Sequence, residues 1–308
     1  MRRRATLVLL AAAAGLGALL TVAPWLALTA PVGAPALVVE GWIPDERLPD
    51  VLRLAQARGV RQVFVTGGER PLGRYLYAGD TLVIDGAPMS GPWRIQLAGL
   101  PGVHWQLLGD TLRLQAGTTD GALRAVDLQV GSGVRQLRLT GSAAVAPGDT
   151  TALLFVQTLS RAGEGLAATG HAVRVHGAGG ARTACALTWA GERAQRMVAL
   201  GLPESLVLAV PGLPDAQGRT RSAPQALGAP ARPLGRGPSG VVPLGVHARR
   251  TRNAHRRANG DAVLVGVIAL PDPQVPSRTW WLRPHAWPAV AKELAGLLRD
   301  AAAGTFGS

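Results

Sequence analysis

The chain is poor in several residues that would narrow its chemistry. Cys185 is the only cysteine among 308 residues, so no intramolecular disulfide framework exists. Its apolar flanks read as a helix, where it is a small buried hydrophobe rather than a nucleophile. Lys292 is the only lysine. It stands in PAVAKEL with no glycine-rich loop before it, which excludes a Walker A phosphate loop. A Ser-x-x-Lys acylase motif is missing as well. No His-Glu-x-x-His occurs, and His171 and His176, five apart on an expected strand, point to opposite faces. No metal site is therefore read. Acidic residues are also scarce: 19 Asp and Glu against 32 Lys and Arg leave a formal net charge of +13. Such an excess suits an anionic partner, whether phosphate, anionic lipid or nucleic acid. An Ala-, Gly-, Pro- and Arg-rich composition of the kind a GC-rich genome encodes accounts for the same overall charge.

What is present begins with Arg2-Arg3-Arg4, followed by an apolar stretch from Ala5 to Ala23 and then Pro24-Trp25. At 1.5 Å per residue that stretch reaches roughly 28 Å, about one hydrocarbon core. The arginines favour a cytoplasmic amino end, with everything after Trp25 outside the cytoplasm and Trp25 at the far interface. A retained signal anchor at the bacterial inner membrane and a signal peptide cleaved near Leu28-Thr29-Ala30 both fit. Either placement makes nucleic acid an unsuitable partner.

Beyond the anchor the pattern divides. Ala36 to Glu40 is a short apolar strand, Pro44 to Ala55 a helix stopped by Gly59, and Val63 to Thr66 a second strand, together a βαβ unit. From residue 70 to 180 short alternating runs recur between turn residues, which predicts an inserted antiparallel β-sandwich. From 181 to 308 strands and helices alternate again. The expected fold is α/β: residues 1–30 a transmembrane segment, 31–69 and 181–308 the two parts of a Rossmann-like parallel-sheet domain, and 70–180 the insert. Gly177-Ala178-Gly179-Gly180 lies at the second junction. Arg182 stands where a dinucleotide fingerprint needs its third glycine, so the run reads as a linker and no cofactor is assigned.

In order and spacing, VVEGWIPDE, VFVTGG, ALGLPESLVLAVPG with RTRSA, GVHARRTRNAHRRA, GVIALPDP and Trp280-Trp281 resemble the YdcF-like (SanA/ElyC) family. The resemblance covers 36–69 and 181–300. It implies an α/β domain tethered to the inner membrane with a role in peptidoglycan or lipid-linked precursor metabolism, and binding of S-adenosylmethionine in one branch. The insert is similar to carbohydrate-binding-like modules of some relatives. Trp93, Trp105 and Tyr75 are either a sugar-stacking platform or core. The prolines of 229–236 and Gln274-Val275-Pro276-Ser277 depart from the family pattern. A nonenzymatic or degenerate binding or regulatory role therefore stands beside the enzymatic one.

In a parallel sheet, loops at the carboxyl ends of the strands converge on one crevice. Here those loops carry Glu40-Gly41-Trp42, Thr66-Gly67-Gly68, Pro211-Gly212 with Thr220, and Gly245 to Arg250. The expectation is that His247 serves as acid or base with Glu40 as a buried catalytic carboxylate, and that Arg249 and Arg250 clamp an anionic, phosphorylated glycan ligand. Gly41, Trp42, Thr66, Gly67, Gly68 and Thr220 complete the ligand contacts. Arg252, His255, Arg256 and Arg257 are expected at the surface.

Overall fold

The computed structural model describes residues 2–86, 89–110, 112–144, 150–212, 219–228, 237–260 and 263–302. Along the chain, α1 (Arg2–Leu26) is followed by β1 (Ala36–Glu40), α2 (Leu48–Ala57) and β2 (Gln62–Gly67). A long run of strands comes next: β3 (Arg74–Leu76), β4 (Thr81–Asp85), β5 (Gly91–Gly99), β6 (His104–Gly109), β7 (Leu112–Thr118) and β8 (Arg124–Val130). It continues with β9 (Gln136–Ser142), β10 (Leu154–Arg161), β11 (Glu164–Gly165), β12 (Ala172–His176) and β13 (Arg182–Cys185). The remainder is α3 (Trp189–Ala199), β14 (Val207–Pro211), α4 (Arg219–Gly228), β15 (Ser239–Val242), α5 (Ala248–Asn259), β16 (Val265–Val267) and α6 (Trp287–Ala302). The chain divides into two compact units, 1–68 with 193–308 and 69–192. The architecture is mixed α/β, with one parallel sheet and two antiparallel sheets.

The parallel sheet runs β14-β2-β1-β15-β16. The middles of its inner strands are apolar because both faces are covered. Alternation sends Leu37, Val39, Val63, Val65 and Val242 into a cluster with Leu48, Val51 and Leu52 of α2. It sends Val38, Phe64, Val210, Val241 and Val265 to the other face, against Ala226 of α4. Pro49 in the first turn of α2 gives up only a spare N–H, and Gly59 beyond its end has φ +57, which a side chain would disfavour. Pro243 lies just past the end of β15, so it does not interrupt that strand. The last strand of the sheet is short, Val265–Val267.

Among the described residues, no helix is long and apolar enough to cross a membrane, so the expected transmembrane segment gains no support. The end of α1 instead packs into the α/β unit. Ala23 and Leu26 are fully buried with Val246, Val275, Trp280 and Val290, and the Trp280 indole donates to the Leu19 carbonyl at 3.1 Å. The connector to β1 exchanges two hydrogen bonds between Ala30 and Val267, at the outer edge of β16.

In the second unit, one antiparallel sheet runs β11-β10-β5-β8, with β3 also on β10, and the other runs β13-β12-β4-β9-β6-β7. Their inward residues share one core. Trp93 is 2% exposed and Trp105 is buried in it, so neither forms a sugar platform, while Tyr75 is 58% exposed and rests on Phe155. Cys185 ends a strand rather than lying on a helix, because Arg182–Cys185 pairs with β12 before α3 begins. It is a buried free thiol in the same core, and burial pushes its pKa up.

Candidate functional site

The order of the parallel sheet reverses between β1 and β15: β2 and β14 extend it on one side, β15 and β16 on the other. Open sheets bind ligands at such a switch point, beyond the carboxyl ends of the strands. Glu40, the last residue of β1, and the Gly245–His247 turn after β15 meet there. Glu40 has the same parity as Val38 and so takes the same side of the sheet. Its Oε1 accepts the Thr251 hydroxyl of α5 at 3.0 Å. The turn depends on Gly245: its φ is +48, and a Cβ there would lie 2.6 Å from Cβ of Asp272.

His247 sits between two carboxylates. Its Nδ1 donates to Glu293 Oε1 at 3.0 Å, and its Nε2 lies 3.5 Å from Glu40 Oε1. Trp42, 44% exposed, meets the imidazole edge-on at 5.3 Å between centroids. Burial alone would lower the His247 pKa. The charge of Glu40, the hydrogen bonds to Glu293 and Glu40 and the charge of Glu293 outweigh burial and raise it to about 10. For Glu293 burial pulls upward, but the His247 hydrogen bond and the charges of His247, Arg250 and Lys292 hold it below the usual carboxylate range. At neutral pH the site holds an imidazolium, not a general base poised near 7.

Arg250 extends the network. Its Nε donates to Asp300 at 3.2 Å, and its Nη1 lies 3.8 Å from Glu293 Oε2. Glu293 and Asp300 share the buried stripe of α6 with Val290 and Leu297, at i, i+3, i+7 and i+10. Gly296 makes room between them, since a Cβ there would stand 2.7 Å from Arg250 Cζ. Arg249 takes another course. Its guanidinium lies 4.0 Å above the Trp25 ring, and its Nε donates to the Trp25 carbonyl at 2.8 Å. The pair expected to clamp an anion is thus turned onto protein partners, because carboxylates of α6 and the end of α1 reach them first.

The other expected residues divide. Gly41 is buried next to Trp42, and its carbonyl accepts Arg193 Nε at 3.1 Å. Thr66 pairs in register with Glu40, but its hydroxyl bonds the Val39 carbonyl at 3.4 Å. The Gly67 carbonyl accepts the Gly212 N–H at 3.0 Å, and nothing lies within 4 Å of the position a Cβ would take at Gly68. Thr220 falls in the first turn of α4, and its side chain is outside the described residues, as are the prolines of 229–236. His255 is not at the surface: it is 2% exposed on the buried stripe of α5 with Ala248, Thr251 and Ala254, and burial lowers its pKa to about 4. Thr251, Glu293, Gly296 and Asp300 were not anticipated. The helical spacing of two acids among the apolar residues of α6 was the available signal.

Two buried oxygens, Glu40 Oε2 and Glu293 Oε2, have no hydrogen-bond partner among the described residues. Glu40 Oε2 is therefore a free acceptor beside the long Nε2 contact of an imidazolium, a donor and an acceptor that one hydroxyl can satisfy together. Among the described residues no cluster of His, Cys, Asp and Glu suits a metal. Comparison with protein-family models and with curated proteins finds no match for this chain.

Proposed function

We propose that this chain is a YdcF-like protein of the cell envelope, attached to the inner membrane through its amino-terminal segment, whose Rossmann-like α/β crevice binds a phosphorylated or lipid-linked glycan precursor without turning it over. The observation that carries the nonenzymatic reading is His247 held between Glu40 and Glu293, whose carboxylates raise its pKa to about 10. A group with so high a pKa neither accepts a proton at neutral pH nor readily gives one up. Three carboxylates around His247 and Arg250 leave no surplus positive charge there, so a ligand hydroxyl, rather than a phosphate, belongs between Glu40 Oε2 and His247 Nε2. Membrane attachment draws on the arginines before the apolar stretch and on exposed Leu10, Leu16 and Leu20 of α1.

A second reading, hydrolysis or transfer, is favoured by the same Glu40 Oε2: a buried carboxylate oxygen without a partner is placed to take a proton from a bound hydroxyl. One experiment separates the two. The full chain is melted with UDP-N-acetylglucosamine, a soluble pyrophosphate-linked sugar, and separately with S-adenosylmethionine, and the ligand is then recovered. The expected result is a dose-dependent rise in Tm with the sugar nucleotide, a much smaller rise in Glu40→Gln, and intact ligand. Release of product would replace the binding reading with the catalytic one. A shift with S-adenosylmethionine alone would reassign the ligand, and no shift with either at millimolar concentration would remove both glycan readings.

A further inference from the structure

The second unit carries a groove that the crevice reading does not use. It lies on the open face of the six-stranded sheet and has a volume of about 790 Å³. Register places Arg174 of β12 and Arg138 of β9 on either side of Val83 of β4, in one row across three strands. Neighbouring strands lie about 4.8 Å apart, so the two arginine backbones stand about 10 Å apart on one face. Arg182 of β13 enters the same groove from one row away, opposite His176.

The arginines are ordered but not neutralised. Arg174 pairs with Asp85, Asp85 accepts from the Gln136 amide at 2.5 Å, and the Gln136 carbonyl accepts Arg138 Nε at 2.5 Å. Arg138 is thereby held by a neutral group, and among the described residues Asp85 is the only acidic one lining the groove. A wet strand face usually matches its charges. The open face of the other sheet does so: Arg94 makes a two-pronged pair with Asp127 at 2.6 and 3.0 Å. In the groove three guanidiniums face one carboxylate. Each guanidinium carries five N–H donors in a planar fork suited to oxyanions, and most of those on Arg138 and Arg174 remain free for a ligand.

We propose that this groove binds a multivalent oxyanion, a small compound carrying two or more carboxylate or phosphate groups spaced by about two strand separations. Arg138 and Arg174 hold the two ends, and Arg182 adds a third contact. The shared chemistry is the oxyanion, and the experiment distinguishes its sources. The full chain is titrated calorimetrically in about 0.15 M NaCl, where charges farther apart than about 8 Å are screened. The probes are hexane-1,6-bisphosphate and suberate, with orthophosphate and acetate as single-anion controls. At least one dianion is expected to bind tenfold or more tighter than its control, and Arg138→Gln and Arg174→Gln each to lose about tenfold. Both variants should melt as wild type does, since the substituted side chains are exposed. Arg256→Gln, an exposed arginine on α5, removes the same net charge and should leave binding unchanged. If Arg256→Gln weakens binding as much as Arg138→Gln, the protein's overall charge is responsible and the groove is not a site. No preference for a dianion, or no dianion binding at all, overturns the proposal equally. None of these outcomes bears on the crevice, which Glu40→Gln tests separately.

Discussion

In the α/β unit three carboxylates, Glu40, Glu293 and Asp300, close around two cations, His247 and Arg250, inside the protein. In the β unit three arginines line a groove on an open face with one carboxylate, Asp85, which pairs with Arg174 alone among the described residues. The residue types are nearly the same, and solvent makes the difference. Buried cations must be paired, because an unpaired charge in a low-dielectric interior is prohibitively costly. Exposed ones stay unpaired at little cost, because water solvates them. Charge density along the sequence is therefore a poor guide to charge available to a ligand. The arginine-dense α5 segment is largely committed to structure near the switch point, while arginines scattered on separate strands of the β unit assemble into an unneutralised patch.

The sharpest way to break the buried network is Glu293→Ala. It leaves His247 and Arg250 without their shared partner, and the expected cost is about 3–5 kcal/mol, read by urea denaturation. The two histidines of the α5 region sharpen the contrast through pH. His247 has its folded pKa raised from 6.5 to about 10, so the stability it contributes is complete below about pH 6.5 and is lost as pH rises toward 10. His255 has its folded pKa lowered from 6.5 to about 4, so its contribution is complete above about pH 6.5 and is lost as pH falls toward 4. Unfolding free energy measured from pH 4 to 10 should peak near 6.5 and fall by a few kcal/mol on either side. His247→Gln should flatten the alkaline limb and His255→Asn the acid limb. Gly245→Ala attacks the backbone turn that delivers His247. A strained φ together with the Asp272 contact predicts a loss of about 1–3 kcal/mol by thermal melting. At the other extreme, Arg138→Gln in the open groove should change stability by no more than about 0.5 kcal/mol, because it leaves no buried charge behind.

Much of the scaffold was legible. Ala36–Glu40 and the α2 stripe could be read because a buried parallel strand must be apolar throughout and a one-faced helix must repeat every 3–4 residues. Glu40 could be singled out as a charge at the end of such a strand, and Gly245 and His247 as the first residues past another. Four short strands escaped, the two-residue Glu164–Gly165 among them. Arg74–Leu76 is brief, His104–Gly109 alternates over only its first four residues before Leu108-Gly109, and Arg182–Cys185 runs into residues that themselves look helical. Arg74–Leu76 pairs with β10 far along the chain, whereas His104–Gly109 and Arg182–Cys185 form hairpins with the strands next to them. The partners that Arg249 and Arg250 meet could not be read from the sequence. Trp25, Glu293 and Asp300 are distant in sequence, and nothing local announces that they arrive first.

By itself the sequence determined the alternation of strands and helices, the interruption by a β-rich segment, and the chemical identity of the groups at the sheet's carboxyl edge, since these follow from local periodicity and composition. Only the tertiary structure decided which charges are buried against which partners: that His247 is an imidazolium held by two carboxylates, that α1 ends inside a core, and that Arg138, Arg174 and Arg182 share one groove. Pairing, burial and pKa depend on distances between residues far apart in the chain, and those distances exist only once the sheets have formed.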